Sequence, residues 1–382
     1  MLKRREFLSK GIIVTAESVL ALTSAKKIFG QEKIDLSKII EEKKSNPPYF
    51  DGLLYLSEDR EDVRKSGLSG YICDVSAGET IEGKYYRRFN LSLKNIVGKR
   101  KLLRENETGL FLATKGSQAR EAYKSGRTAV FFQFQSCEPI TEDLEVMAVF
   151  YELGLRILQI THHYGNIVGG GCLDKEWTGL TELGIKAVEK MNELGIIPDL
   201  SHANDITALD VLKTSKKPVI ISHTGCRAIV KSARCTPDNI IRDVAKSGGI
   251  IGIFCGFYTF WLTNDPLPTI DSLINQLDHV VKIGGVDAVG LASDLFMEGY
   301  VKEGQLINNN SEAVKSYYPW WKSQAGKMGF DELPKHCFIP ELNNAKRYYT
   351  IQAALEKRGY STSQIEKIMG GNWIRVLTEC LG

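Results

Sequence analysis

The sequence predicts an α/β fold, a single (β/α)8 or TIM barrel, and three observations carry that reading. Eight short runs rich in Val, Ile, Leu and Phe recur between residues 49 and 292. Several are nearly continuous in apolar residues, as expected of parallel strands covered on both faces, whereas half-exposed antiparallel strands alternate. Helical patterns lie between the later runs, and repeated right-handed crossovers totalling eight strands favour a closed barrel over an open doubly wound sheet. The 382 residues, 43% hydrophobic and 25% charged, can bury a large core and fit no disordered, collagen-like or coiled-coil class.

Residues 1–25 read as an address outside the fold. Lys3-Arg4-Arg5-Glu6-Phe7-Leu8 pairs two arginines ahead of two large apolar residues, a mostly apolar stretch follows to Leu22, and Thr23-Ser24-Ala25 supplies small residues for cleavage. This resembles a twin-arginine export signal and predicts an exported, periplasmic or extracellular protein. The alternative is an amphipathic terminal helix. Residues 26–47 form a charged N-terminal extension closed by Asn46-Pro47-Pro48. No window of about 18 apolar residues appears in the mature chain, so no transmembrane segment is predicted there.

The barrel domain is expected over 48–382. Its strands fall at 49–56, 70–75, 128–134, 155–161, 196–200, 218–222, 249–254 and 286–292. Leu183, Ala187, Met191 and Leu194 share one face of a helix stopped by Gly195. Thr236-Pro237-Asp238 reads as a cap, a first-turn proline and a first-turn acid, with Gly248 closing that helix. Ile270, Leu273, Ile274, Leu277 and Val281 form a further stripe ended by Gly284. An insertion at about 295–345 is rich in aromatics, among them Phe296, Tyr300, Tyr317, Tyr318, Trp320, Trp321 and Phe330. A lid, a homodimer contact, a platform for ring-shaped substrates and a private small core are its open readings.

Composition narrows the function. Lys and Arg number 49 against 46 Asp and Glu, a net charge of +3, and the address segment carries four basic residues against two acidic ones. A body so near neutrality has no general pull on phosphate backbones, which argues against nucleic acid. Neither GxGxxG nor GxxxxGK[ST] follows a strand, so nucleotide readings lose support as well. The eight cysteines form no CxxC pair and read as buried thiols, with a Cys226–Cys235 bridge left open.

In such a barrel chemistry sits where strands end. Gln135 follows the third run, His162 and His163 the fourth, His202 the fifth, His223 the sixth and Asp294 the eighth. Four of the six histidines thus fall at one mouth; His279 and His336 lie on a helix and in a polar loop. Neutral imidazoles at the mouths of neighbouring strands can share a Zn2+ or similar ion, or they can be hydrogen-bonded residues that shape a pocket.

These residues resemble the membrane (renal) dipeptidase family of zinc peptidases, a branch of the metal-dependent amidohydrolase barrels. The likeness runs through Gly154-Leu155-Arg156 with Thr161-His162, Gly179-Leu180-Thr181, Asp199-Leu200-Ser201-His202, Ser222-His223, Arg234, Gly290 to Asp294 and Gly370-Gly371-Asn372-Trp373. It implies that His202 and His223 hold a zinc, that His162 stabilises the oxyanion, that Asp294 handles protons and that Arg234 binds the substrate carboxylate. Gln135 and His163 are read as further substrate-binding residues. The departures matter equally. The family's first strand ends in Asp-Gly-His-x-Asp, whose His and Asp bind the other zinc, whereas this chain reads Asp51-Gly52-Leu53-Leu54-Tyr55, and Gln135 stands for the bridging glutamate. At most one ion and weak turnover of simple dipeptides are therefore expected. The expected function is hydrolysis of a small amide, ester or short peptide. The alternatives are a metal-free lyase or epimerase and a non-catalytic exported binding protein.

Overall fold

The computed structural model describes residues 46–81, 84–255, 258–265, 268–299 and 338–382. In chain order the strands are β1 (Tyr49–Asp51), β2 (Leu68–Asp74), β3 (Gly78–Ile81), β4 (Lys84–Arg87), β5 (Leu110–Leu112), β6 (Thr128–Phe134), β7 (Leu155–Gln159), β8 (Ile197–Asp199), β9 (Ile220–Thr224), β10 (Ile250–Phe254) and β11 (Val289–Ala292). Pairing runs β2-β1-β11-β10-β9-β8-β7-β6, and a parallel register from Gly70↔Ala129 to Asp74↔Gln133 joins β6 back to β2. Eight parallel strands thus close into the expected (β/α)8 barrel.

Three strands were not anticipated. β3 and β4 form an antiparallel hairpin outside the ring, and β5 pairs with the N-terminal half of β6. All three are short, and the hairpin is mostly polar, so neither periodicity nor apolar content marked them. Several boundaries also shifted. β1 stops at Asp51, whose carboxylate takes the Leu53 amide at 2.9 Å and turns the chain. β9 extends to Thr224, so His223 lies inside its strand and not after it. The helix Asp238–Lys246 is capped at Pro237, one residue later than expected, because the Thr236 hydroxyl bonds that of Thr224 at 3.0 Å. A 3-10 turn over Val286–Ala288 precedes β11.

The anticipated helices form. Glu182–Leu194 is capped by the Thr181 hydroxyl, buries Ala187 and Met191, and ends at Gly195 in the left-handed region. Ile270–Gly284 begins with a capping box from Thr269 and Ser272. Cys226 and Cys235 are free thiols, as are all cysteines among the described residues. His279 bonds Asp238 across two outer helices at 2.8 Å, away from the mouth. His336 and most of the aromatic insertion lie outside the described residues.

Two apolar layers hold the fold. The larger packs the outer faces of the strands against the helices. The smaller fills the barrel with Phe50, Ile72, Phe131, Ile157, Ile197, Ile220 and Ile250, and with Trp373 from the terminal helix Asn372–Leu381. Trp373 donates to the Leu291 carbonyl at 3.1 Å, and a Cβ at Gly52 or Gly290 would fall within 2.6 Å of its ring. The glycines are what admit the indole. Above this floor the inward-facing positions turn polar, and the site begins there.

Candidate active site at the barrel mouth

Strand geometry selects the site residues. With side chains alternating along a strand, the apolar floor positions Ile72, Phe131, Ile157, Ile197 and Ile220 put Asp74, Gln133, Gln159, Asp199 and Ser222 on the same inward face two residues on. These residues are buried or nearly so, and Gln133, Asp199 and Ser222 bond one another. Asp199 accepts from Gln133 Nε2 at 2.6 Å, from the Ser222 hydroxyl at 2.6 Å and from the Ser201 hydroxyl at 2.8 Å. Because Ser222 donates its proton to Asp199, its oxygen accepts from His223 Nδ1 at 2.8 Å. That chain leaves the Nε2 lone pair of His223 facing its neighbour across the mouth.

The imidazoles sit on this layer. His202 Nε2 lies 2.9 Å from His223 Nε2, and His202 Nδ1 lies 3.3 Å from His163 Nδ1. His162 stacks on His202 with centroids 4.3 Å apart, and ligand atoms of His162, His163 and His202 all lie within 4.8 Å of one another. Asp294 Oδ2 is 3.9 Å from His223 Nε2. His202 and Asp294 have φ of 66° and 48°, a left-handed backbone uncommon for residues with a Cβ, so the surrounding structure holds two site residues in strained conformations.

Burial sets the protonation. His162, His202 and His223 are held well below the usual imidazole range, first by loss of solvent and then by the charges of Arg87 and Arg234 and by neighbouring imidazoles. His163 is pushed down to about 3 by burial, Arg234 and Arg87. All four are therefore neutral near pH 7, the protonation state in which an imidazole can serve as a ligand. Asp294 moves the other way, raised to about 7 by burial although Arg234 pulls its carboxyl down.

The residues expected from sequence thus converge on one mouth: Gln135, His162, His163, His202, His223, Arg234 and Asp294. Arg234 donates to the His223 carbonyl at 3.0 Å and lies 5.2 Å from the ring centres of both Phe254 and Trp261. Gln135 Oε1 accepts from Arg87 Nη2 at 3.2 Å. Sequence reasoning missed Arg87, Gln133 and the buried cluster of Asp51, Ser293, Tyr348 and Arg347. Arg87 looks like any surface arginine of a polar hairpin, and no sequence signal sets it apart. In the cluster, Asp51 accepts from the hydroxyls of Ser293 and Tyr348 at 2.5 and 2.6 Å. Arg347, fully buried, donates to the carbonyls of Phe296, Met297 and Leu342, and so ties together the two ends of the insertion.

The mouth offers donors that could hold an ion, the His162, His163 and His202 cluster among them. His202 Nε2, His223 Nε2 and the Asp294 carboxylate are two neutral imidazoles and an acid, a combination common at catalytic zinc. The first strand offers no ligand pair: Leu53 and Leu54 are buried, and Tyr55 packs on Phe296 with centroids 5.1 Å apart.

Residues 54–311 and 328–380 match the family described as Membrane dipeptidase (Peptidase family M19). Dipeptidase tcpJ of Claviceps purpurea (strain 20.1) is 29% identical over 273 residues, which are 70% of this chain and 55% of the relative. Dipeptidase verJ of Clonostachys rogersoniana is 28% identical over 270 residues, 70% of this chain and 59% of the relative. The chain thus spans little more than half the length of these curated relatives. The crystal structure of an amidohydrolase from Pseudomonas aeruginosa matches with a TM-score of 0.73 at 27% identity, covering 90% of this chain and 99% of that one.

Proposed function

The chain belongs to the membrane dipeptidase family, and from that premise we propose that it is a metal-dependent hydrolase of a small amide or short peptide-like substrate, with one ion at most. The observation that carries the proposal is the facing pair His202 Nε2 and His223 Nε2, 2.9 Å apart, with the Asp294 carboxyl at the same mouth. Zinc fits these donors best, and when bound it would lower the pKa of a coordinated water toward neutrality.

The protein's own groups do the rest. His202 and His223 would hold the ion, and the Ser222–Asp199 chain fixes the ring of His223. Asp294, beside His223 at the mouth, would take a proton from the attacking water and return it to the leaving amine. Arg234 binds a substrate carboxylate, and its aromatic neighbours Phe254 and Trp261 exclude water from that contact. His162, half-buried beside His202, faces the oxyanion that develops on the acyl carbon. Gln135 and His163 line the substrate's path.

The test is hydrolysis of a dipeptide panel by purified protein, with metal content measured in parallel. Activity should vanish on chelation and return with about one equivalent of added ion. Turnover indifferent to chelators, or two tightly held ions per chain, would overturn this reading.

We further propose export through the twin-arginine route, with the mature chain beginning near Lys26; no helix among the described residues is long and apolar enough to cross a membrane. Replacing Arg4 and Arg5 together by lysine should retain the protein in the cytoplasm. Unchanged export of that variant would refute the assignment.

A further inference from the structure

We propose that Arg87 is a second anion anchor, and that the substrate is a small amide with a carboxylate at each end, spanning the mouth from Arg87 to Arg234. This rests on the hydrolase reading for the bond that is cleaved, and on the placement of the two guanidiniums for everything else.

The ring order places them. Arg87 ends β4, and its guanidinium reaches Ser76 and Gln135, which follow the ring neighbours β2 and β6. Arg234 bonds the carbonyl of His223 in β9 and lies over Phe254 at the end of β10, and these strands are also neighbours. Around the closed order β2-β1-β11-β10-β9-β8-β7-β6, the β6/β2 junction is half a turn from the β10/β9 junction. Two positive charges therefore stand on opposite sides of one mouth. Asp294, after β11, occupies one arc between them; His162, His163 and His202, after β7 and β8, occupy the other.

Neither guanidinium is saturated by the protein. Arg87, 6% exposed, gives Nε to the Ser76 hydroxyl at 2.8 Å and Nη2 to Gln135 at 3.2 Å, both neutral acceptors. Its Nη1 has no hydrogen-bond acceptor among the described residues. The carboxylates of Asp74 and Glu138 stay at 3.9 and 4.0 Å, and each takes shorter bonds elsewhere, Asp74 from Ser76 and Glu138 from the Arg87 amide. Arg234, 3% exposed, leaves Nε without a partner and has no carboxylate within 4.0 Å among the described residues. A buried guanidinium with open N–H groups is costly until an acceptor arrives, and a carboxylate matches its fork.

A neutral dipeptide satisfies Arg234 alone. A dipeptide whose amino-terminal residue bears a side-chain carboxylate, or an amino acid acylated by a diacid, satisfies both and brings the amide between the histidines and Asp294. Hydrolysis then adds the hydroxyl of water to the acyl carbon, breaks the C–N bond and gives the remaining proton to the amine.

Two measurements on the full-length protein test this. Calorimetric titration should show glutarate binding about 10- to 100-fold tighter than butyrate, the gain expected from one added charge-assisted pair. Glutamyl-alanine should exceed glutaminyl-alanine in kcat/KM by a similar factor, mainly through KM, and Arg87→Met should bring both ratios toward one while Arg87→Lys retains part of them. Equal binding of glutarate and butyrate by the wild type, a comparison needing no variant, would overturn the anchor, as would a preference that survives Arg87→Met. If the wild type hydrolyses neither dipeptide yet its glutarate preference disappears in Arg87→Met, the anchor stands and the hydrolase reading falls.

Discussion

Replacing His202 and His223 together is expected to reduce bound metal to zero and to lower kcat/KM by more than the roughly 10²–10³-fold that a single oxyanion donor contributes. The size follows from what is lost. Without the ion, water near neutral pH keeps its ordinary pKa and is a poor nucleophile, and the two Nε2 atoms that face each other across the mouth are gone. The choice of replacement matters. His202 has a φ of 66°, where asparagine is better tolerated than alanine, so His202→Asn with His223→Gln separates loss of ligation from backbone strain. Elemental analysis and dipeptide turnover of the doubly substituted protein supply the readings. An ion retained at full stoichiometry would place the metal on other residues.

Asp294→Asn is expected to cost about 10²–10⁴-fold in kcat/KM and to remove the rise of activity with pH. In the ion-free protein the carboxyl is raised to about 7 by burial; a bound cation beside it favours the carboxylate, so the wild-type profile should rise below that value as the group becomes a base. Asparagine fits the φ of 48° at this position and keeps the shape of the side chain, which leaves the loss to be read as chemistry. Stability carries a second signature in metal-free protein. The folded state keeps the proton to about pH 7, while the unfolded chain releases it near the ordinary aspartate value of 3.8. Stability contributed by this carboxyl is therefore full below about 4, drains away as pH rises and is gone above about 7. The difference between wild type and Asp294→Asn across that interval isolates it. A variant with the same rising limb would assign the base to another group.

The fold was legible because the barrel writes itself into the sequence in a local code. Parallel strands buried on both faces need continuous apolar runs, such as Ile250–Phe254, and the helices between them need one apolar stripe and a stop, as in Glu182–Leu194 with Gly195. The convergence of the candidate site residues was legible for the same reason. A polar residue at the end of an apolar run has one place to go in this architecture, so Gln135, His162, His163, His202, His223 and Asp294 converge. The hairpin and β5 were missed because outer strands of three or four residues carry no such pattern. Thr236 does not cap its helix, because a hydroxyl chooses among partners in space and this one bonds Thr224.

By itself the sequence determined the barrel, the mouth at which its candidate site residues gather and the absence of the family's first-strand ligand pair. Those depend on residue type and on spacing along the chain. Only the tertiary structure decided which ring nitrogen faces which, that Ser222 and Asp199 orient His223, and that Arg87 leaves its polar hairpin to stand buried across from Arg234. Such facts arise from the closure of the ring: strands that are distant in sequence become neighbours, and a side chain's charge and tautomer are then set by groups that no local pattern connects to it.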